Sequence, residues 1–277
     1  MKEIERFSNK RERSDQSSMK VVILCGGKGT RLREETEFRP KPMVPIGDRP
    51  ILWHIMKIYA AHGFKDFVLC LGYKGEMIKE YFRNYRWNTC DVTLSLGRDA
   101  DPRFHGHHDE EDWSITLADT GQESMTAWRI KSIARYLGDD QRFLLTYGDG
   151  VGDVPIREVV EAHEASGKTC TLTAVHPPGR FGELSLHGGD VNGFNEKPQA
   201  EGGYINGGFM VCERSLINEL PDDPGVMLEQ GPLQKLAVRG QLGAFRHDGF
   251  WQPMDTFQEF KLLNALWDSG KAPWKVW

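Results

Sequence analysis

The chain has 277 residues, with 35 Lys and Arg against 40 Asp and Glu, a formal net charge of −5 and 39% hydrophobic residues. Such a chain can bury a core without disulfides or structural metals, and its acidic balance argues against nucleic acid as a partner, while leaving room for a local basic pocket for a small anion. Mean hydropathy is −0.51, no apolar run approaches the roughly 20 residues of a membrane span, and the five cysteines, odd in number and without a C-x-x-C pair, fit a reducing cytoplasm.

Residues 1–18 carry mixed charges and no apolar core. They read as a disordered extension rather than a secretory signal, with Met19 as an alternative start. Residues 21–25 form a continuous apolar run that ends in Gly26-Gly27, the pattern of a buried parallel strand and a tight loop. Ile51, Ile55 and Ile58 share one helical face and predict a helix over 51–61, with Pro50 suited to its first turn. A second buried strand is expected at 67–71, a helix at 75–85 and a third strand at 92–96. Ile130, Ile133, Ala134 and Leu137 predict a helix over 127–136. A strand at 143–147 ends in Gly148-Asp149-Gly150 and is followed by a helix at 154–166 and a strand at 169–175. After Pro177 glycines cluster, giving a meander over 181–194, a strand at 208–212 and helices near 233–239 and 256–269. The alternation predicts an α/β fold: a doubly wound, mostly parallel sheet, with a smaller α+β elaboration in the C-terminal part of a single domain spanning 19–277.

The strongest chemical signal is Leu24-Cys25-Gly26-Gly27-Lys28-Gly29-Thr30-Arg31-Leu32, followed by Pro40-Lys41-Pro42-Met43. Glycines after a first buried strand let backbone N–H groups approach an anion. The string lacks the Gly-Lys-Ser/Thr of a P-loop, and Leu32 breaks the dinucleotide G-x-G-x-x-G pattern. Its added cations, Arg31 and Lys41, suit a triphosphate attacked at the α-phosphorus, where charge develops on the oxygens. Asp149 lies between two glycines at the end of a strand, where ligands bind in open α/β sheets, and a carboxylate there suits Mg²⁺. Asp255 just precedes a helix and reads equally as a helix cap or as a second ligand. His105, His107, His108 and Asp109 lie in a polar stretch that reads as an exposed loop rather than a zinc site. Asp99-Ala100-Asp101 follows no apolar strand and also reads as loop. Trp251, Trp267, Trp274 and Trp277 read as core packing or as a subunit interface.

The glycine string resembles the signature of the sugar-1-phosphate nucleotidyltransferases, and the chain from Met19 to Trp277 resembles the cytidylyl branch of that family. The specific stretches are 41–43, 51–56 (ILWHIM), 72–75 (GYKG), 146–151 (TYGDGV), 177–182 (PPGRFG), 196–198 (EKP), 205–209 (INGGF), 250–256 (FWQPMDT) and 271–275 (KAPWK). The resemblance implies CTP and glucose 1-phosphate as substrates, CDP-glucose and pyrophosphate as products, Mg²⁺ as cofactor, a homo-oligomer and a role in deoxysugar supply for surface polysaccharide. It implies catalytic roles for Arg31, Lys41 and Asp149. It assigns nucleotide contacts to Leu24, Gly26, Gly27, Lys28, Gly29, Thr30, Arg31, Lys41, Ser124, Arg129 and Gly148. Sugar-phosphate contacts would come from Glu196, Lys197, Asn206 and Gly207, and the metal would be held by Asp149 and Asp255. Ala127-Trp128 stand where that branch carries two glycines, so the expected base-reading wall departs from the pattern there.

Overall fold

The computed structural model describes residues 19–97, 101–177, 183–187, 190–195 and 203–277. The N-terminal extension expected over 1–18 lies outside them.

Period-two alternation in the central strands feeds two cores. In β1 (Val21–Leu24), Val21 and Ile23 face one core and Val22 and Leu24 the other. In β2 (Asp66–Leu71), Phe67, Leu69 and Leu71 join the first, Val68 and Cys70 the second. A strand with both faces buried must be apolar throughout, which is why these segments show as unbroken hydrophobic runs. The remaining strands of the sheet are β3 (Ser114–Asp119), β4 (Arg142–Tyr147), β5 (Cys170–Val175), β6 (Ile205–Asn206), β7 (Met210–Glu213) and β8 (Leu242–His247). Their order is β8-β5-β7-β4-β1-β2-β3, with β6 pairing β5 beside β7. All neighbours are parallel except β7, which runs antiparallel to both β4 and β5, and β6, antiparallel to β5.

Helices cover both faces. The first core takes α1 (Ile51–Ala61) and α4 (Ile156–Ser166), together with Leu263 of α6 (Phe257–Asp268). The second takes Ala127 and Ile130 of α3 (Thr126–Ser132) and Leu233 and Leu236 of α5 (Pro232–Val238). Between β2 and β3 the chain forms α2 (Gly75–Arg83) and then a short helix at Tyr85–Thr89. Among the described residues no helix is long and apolar enough to cross a membrane.

Several expectations shift. The third strand of the sheet is β3, not 92–96: Asp91–Thr93 pairs with Arg103–His105 in a separate hairpin. As an edge strand, β3 buries only Ala118 fully, so its apolar signal is weak, whereas Leu94 and Leu96 are exposed. The helix expected over 75–85 ends at Arg83. Asp255 is not the helix cap: Thr256 caps α6 in a capping box with Glu259. The C-terminal tryptophans pack inward. Trp274 is fully buried and stacks on Phe250, and Trp267 and Trp277 lie against His54.

This topology creates the crevice that matters. From β1 the chain builds β2 and β3 on one side, and only later β4 on the other. The carboxyl ends of β1 and β4 therefore flank a topological switch point, where open α/β sheets bind ligands.

Candidate active site

Four segments converge on that switch point and enclose a cavity of about 450 Å³, within the ordinary range for a small-molecule site. With Lys41-Pro42, which also lines the cavity, they are the glycine loop after β1, the stretch 122–126 leading into α3, Gly148-Asp149 after β4, and Asp255 before α6. Of the residues expected to bind nucleotide or metal, Leu24, Gly26, Gly27, Lys28, Gly29, Thr30, Arg31, Lys41, Ser124, Arg129, Gly148, Asp149 and Asp255 all line it. Lys28, Arg31, Lys41 and Arg129 outnumber the lining carboxylates Glu123, Asp149 and Asp255, so a locally cationic pocket sits in an acidic chain.

The acidic pair is assembled by pairing of distant backbone. Gly150–Gly152 runs antiparallel to Trp251–Pro253, and Met254 N donates to Asp149 O at 2.8 Å. This zips the strand end carrying Asp149 to the segment carrying Asp255. Lys41 approaches from a 3-10 turn, Lys41–Met43, whose Met43 N donates to Pro40 O. Its Nζ lies 2.7 Å from Asp149 Oδ2 and also donates to Asp255 Oδ1. Asp255 Oδ2 in turn pairs with Arg31 Nη1 at 2.9 Å. Burial alone would lower the Lys41 pKa, but the two carboxylates outweigh it and hold the ammonium above its usual range. Lys41 is 7% exposed, whereas the Arg31 side chain is 70% exposed.

Glycines make the close approaches possible. A Cβ at Gly148 would stand 2.9 Å from Leu24 O, backbone against backbone where β1 and β4 end. One at Gly26 would stand 2.1 Å from Arg129 Nη1, and one at Gly72 2.4 Å from the same atom. The space they leave holds the Arg129 guanidinium, which is 4% exposed. Its Nη1 donates to Leu71 O, Thr120 Oγ1 and Gly121 O, and its Nη2 to Gly26 O and Gln122 O. Arg129 was expected as a nucleotide contact; in the structure its terminal nitrogens clamp the glycine loop to the 120–122 turn. Ser124 Oγ donates to Thr120 O at 2.6 Å. Lys28 and Glu123 pair at 2.8 Å across the mouth. Cys25 is fully buried, and burial pushes its thiol pKa well up, so it offers no nucleophile.

The Ala127-Trp128 departure falls outside the cavity. Ala127 is fully buried in the second core, and the wall is made by 122–126 and Arg129. Asn206 and Gly207 do not line the cavity directly. Asn206 Nδ2 donates to the Tyr147 hydroxyl at 3.1 Å, and Tyr147 lines it. Glu196 and Lys197 lie outside the described residues. His105 bonds Thr93 Oγ1, and exposed His107 pairs with Glu111. Among the described residues no three His, Cys, Asp or Glu side chains gather as a metal site. Asp99 and Ala100 lie outside the described residues, and Asp101 is exposed. Sequence reasoning placed Thr126 only within a base-selecting segment, 119–129, and gave no role of their own to Tyr147 or Pro42, which also line the cavity. Tyr147 was within reach of such reasoning, since it immediately precedes the Gly-Asp-Gly turn.

The donor chemistry fits a divalent cation. Asp149 and Asp255 both reach one ammonium, so their hard oxygens lie close enough to share a small cation, and two carboxylates leave coordination positions for phosphate oxygens and water.

The nucleotidyl transferase family model matches residues 20–251. A glucose-1-phosphate cytidylyltransferase of Salmonella typhimurium is 54% identical over 94% of this chain and 100% of its own length. A Bacillus subtilis protein named as a probable glucose-1-phosphate cytidylyltransferase is 43% identical over 94% of this chain and 100% of its own length. Among solved structures, HddC from Yersinia pseudotuberculosis superposes with a TM-score of 0.66, covering 90% of this chain and 99% of that one, at 20% identity. That last likeness is one of fold.

Proposed function

The chain belongs to the nucleotidyl transferase family, and from that premise we propose that it transfers the cytidylyl group of CTP to α-D-glucose 1-phosphate, giving CDP-glucose and pyrophosphate. The observation that carries the reading is the convergence of Lys41, Asp149, Asp255 and Arg31 beneath a glycine loop at the switch point. It is supported by 54% identity to a whole cytidylyltransferase.

A phosphate oxygen of the sugar attacks the α-phosphorus in line, and pyrophosphate leaves. This chemistry needs positioning and charge neutralisation rather than an enzyme nucleophile. Gly26, Gly27 and Gly29 admit the triphosphate to backbone N–H groups, with Lys28 and Thr30 beside them. Arg31, exposed at the mouth, binds the leaving phosphates, and Lys41 holds the α-phosphate. Asp149 and Asp255 would hold Mg²⁺, which would supply neutralisation of the charge that develops on the phosphate oxygens. Leu24, Gly148, Ser124 and the loop clamped by Arg129 shape the nucleoside side. Glu196, Lys197, Asn206 and Gly207 serve the sugar phosphate.

The reading extends to residues 19–277 as one catalytic domain, to a cytoplasmic homo-oligomer, and to nucleotide-sugar supply for polysaccharide. The five free cysteines support the reducing compartment. Exposed Trp87, Leu94 and Leu96 near the Asp91–Thr93 hairpin support self-association. The test is pyrophosphate release with Mg²⁺ and glucose 1-phosphate, comparing CTP, UTP, dTTP and ATP. Release with CTP alone is expected. Release with another nucleotide in its place would move the base assignment, and no release with any would overturn the reading.

A further inference from the structure

We infer that Glu229 is a positioning residue for this reaction: its carboxylate fixes the Tyr147 phenol and, through it, the amide of Asn206, so that the sugar side of the site is held by a residue outside the cavity. The inference rests on the proposed role of Asn206 in sugar binding.

Glu229 bridges two residues that line the cavity. Its Oε1 accepts from the Tyr147 hydroxyl at 2.6 Å and its Oε2 from Thr126 Oγ1 at 2.8 Å. An ionised carboxylate only accepts, so both hydroxyl protons are committed to it. The phenol oxygen is then left as an acceptor, and Asn206 Nδ2 donates to it at 3.1 Å. The other end of that amide is fixed as well, since Gly208 N donates to Asn206 Oδ1 at 3.0 Å. Each bond sets the direction of the next. Rotating the Asn206 amide by half a turn would set Oδ1 against the phenol oxygen and Nδ2 against the Gly208 N–H. The chain of bonds therefore leaves one amide proton and one carbonyl lone pair of Asn206 in a single defined presentation.

The carboxylate is itself anchored. Leu228 N donates to Thr126 Oγ1 at 2.7 Å, Met125 N to Pro224 O at 2.8 Å and Ala127 N to Val226 O at 3.3 Å. Three bonds thus tie the segment before Glu229 to the start of α3. On the far side, Asn206 sits where β6 steps across to β7 through Gly208 (φ +79°) and Phe209 (φ 44°), a turn that holds the amide toward Tyr147. Burial, then the Glu229 charge, raises the Tyr147 pKa and keeps the phenol protonated at any working pH.

The experiment uses the full chain with CTP and glucose 1-phosphate and compares Glu229→Gln, Tyr147→Phe and the double variant. Each single variant is expected to raise KM for glucose 1-phosphate about tenfold, roughly one lost hydrogen bond of orientation, with KM for CTP within about twofold. The double variant is expected to be no worse than the poorer single one, because both break the same chain. Additive losses, a change confined to KM for CTP, or a lowered Tm with unchanged KM for glucose 1-phosphate would each overturn the inference. Wild-type protein without turnover would overturn the proposed function and this inference with it. Normal wild-type turnover with an unchanged sugar-phosphate KM in both single variants would overturn this inference alone.

Discussion

Replacing His54 by Gln should flatten the acid limb of the protein's stability profile, and the size of the effect follows from how the ring is held. His54 is fully buried in α1. Its Nε2 donates to Ile46 O at 3.0 Å, and its Nδ1 accepts from Trp274 Nε1 at 3.4 Å. That pair of bonds specifies the neutral ring, because a protonated Nδ1 would face the indole N–H donor to donor. Burial pushes the pKa down to about 4, although the Ile46 carbonyl pulls it upward. In the unfolded chain the group titrates near 6.5. Between those values the unfolded state binds a proton that the native state refuses, so stability falls as pH falls. The contribution is complete above about pH 6.5, loses about 2 kcal/mol by pH 5 and reaches about 3 kcal/mol below pH 4. Carboxylates titrate over the same range, so the informative quantity is the difference between wild type and variant. Urea unfolding followed by tryptophan fluorescence from pH 7.5 to 4.5 supplies it. The wild-type advantage measured at pH 7.5 should shrink by about 2 kcal/mol at pH 5. Equal slopes for the two proteins would refute the neutral, locked ring.

Asp149→Asn should lower turnover by about 10²-fold or more with an unchanged Tm, as expected for lost electrostatic stabilisation; a near-wild-type rate of pyrophosphate release would remove Asp149 from the chemistry. Gly26→Ala should displace the Arg129 guanidinium, because the new methyl carbon would fall 2.1 Å from Nη1; a raised KM for CTP and a lowered Tm are expected, and retention of both would show that the clamp is not needed. Thr256→Ala should cost about 1 kcal/mol by removal of the α6 cap, measured by denaturant unfolding. Glu259→Ala should additionally reduce activity, since Glu259 Oε2 accepts from the backbone N–H of Asp255 at 2.7 Å as well as from that of Thr256; steady-state rates distinguish it from Thr256→Ala.

What could be read in advance followed burial. β1 and β2 are covered on both faces, so they stand out as apolar runs, and the glycine loop is legible because it must follow such a strand. β3 escaped notice because an edge strand buries little, while 92–96 shows a convincing alternation in an outlying hairpin. The two roles open for Asp255 could not be separated by residue type, since Asp suits a cap and a ligand equally. The structure separates them by one position, giving the cap to Thr256 and leaving the Asp255 carboxylate for Lys41 and Arg31. Arg129 illustrates what a linear pattern leaves out. Its presence at the base-facing segment was legible, but that its donors are taken by five protein acceptors depends on the backbone carbonyls of three separate loops, which no linear pattern encodes.

The arrangement of Lys41 explains why the two aspartates can sit together at all. Carboxylates drawn to one point repel unless a cation stands between them. The ammonium of Lys41 supplies that cation, held by a stem that is almost wholly buried. In the proposed reaction the same ammonium would serve the α-phosphate, an exchange of partners that would leave Asp149 and Asp255 to hold a divalent cation. A neutral residue at position 41 would remove both halves of this exchange. Lys41→Ala should therefore abolish most turnover and also lower Tm in the absence of divalent cation, with Mg²⁺ restoring Tm but not turnover. Restoration of neither would mean that the aspartates do not share a cation, and restoration of both would mean that Lys41 only fills the place of the metal.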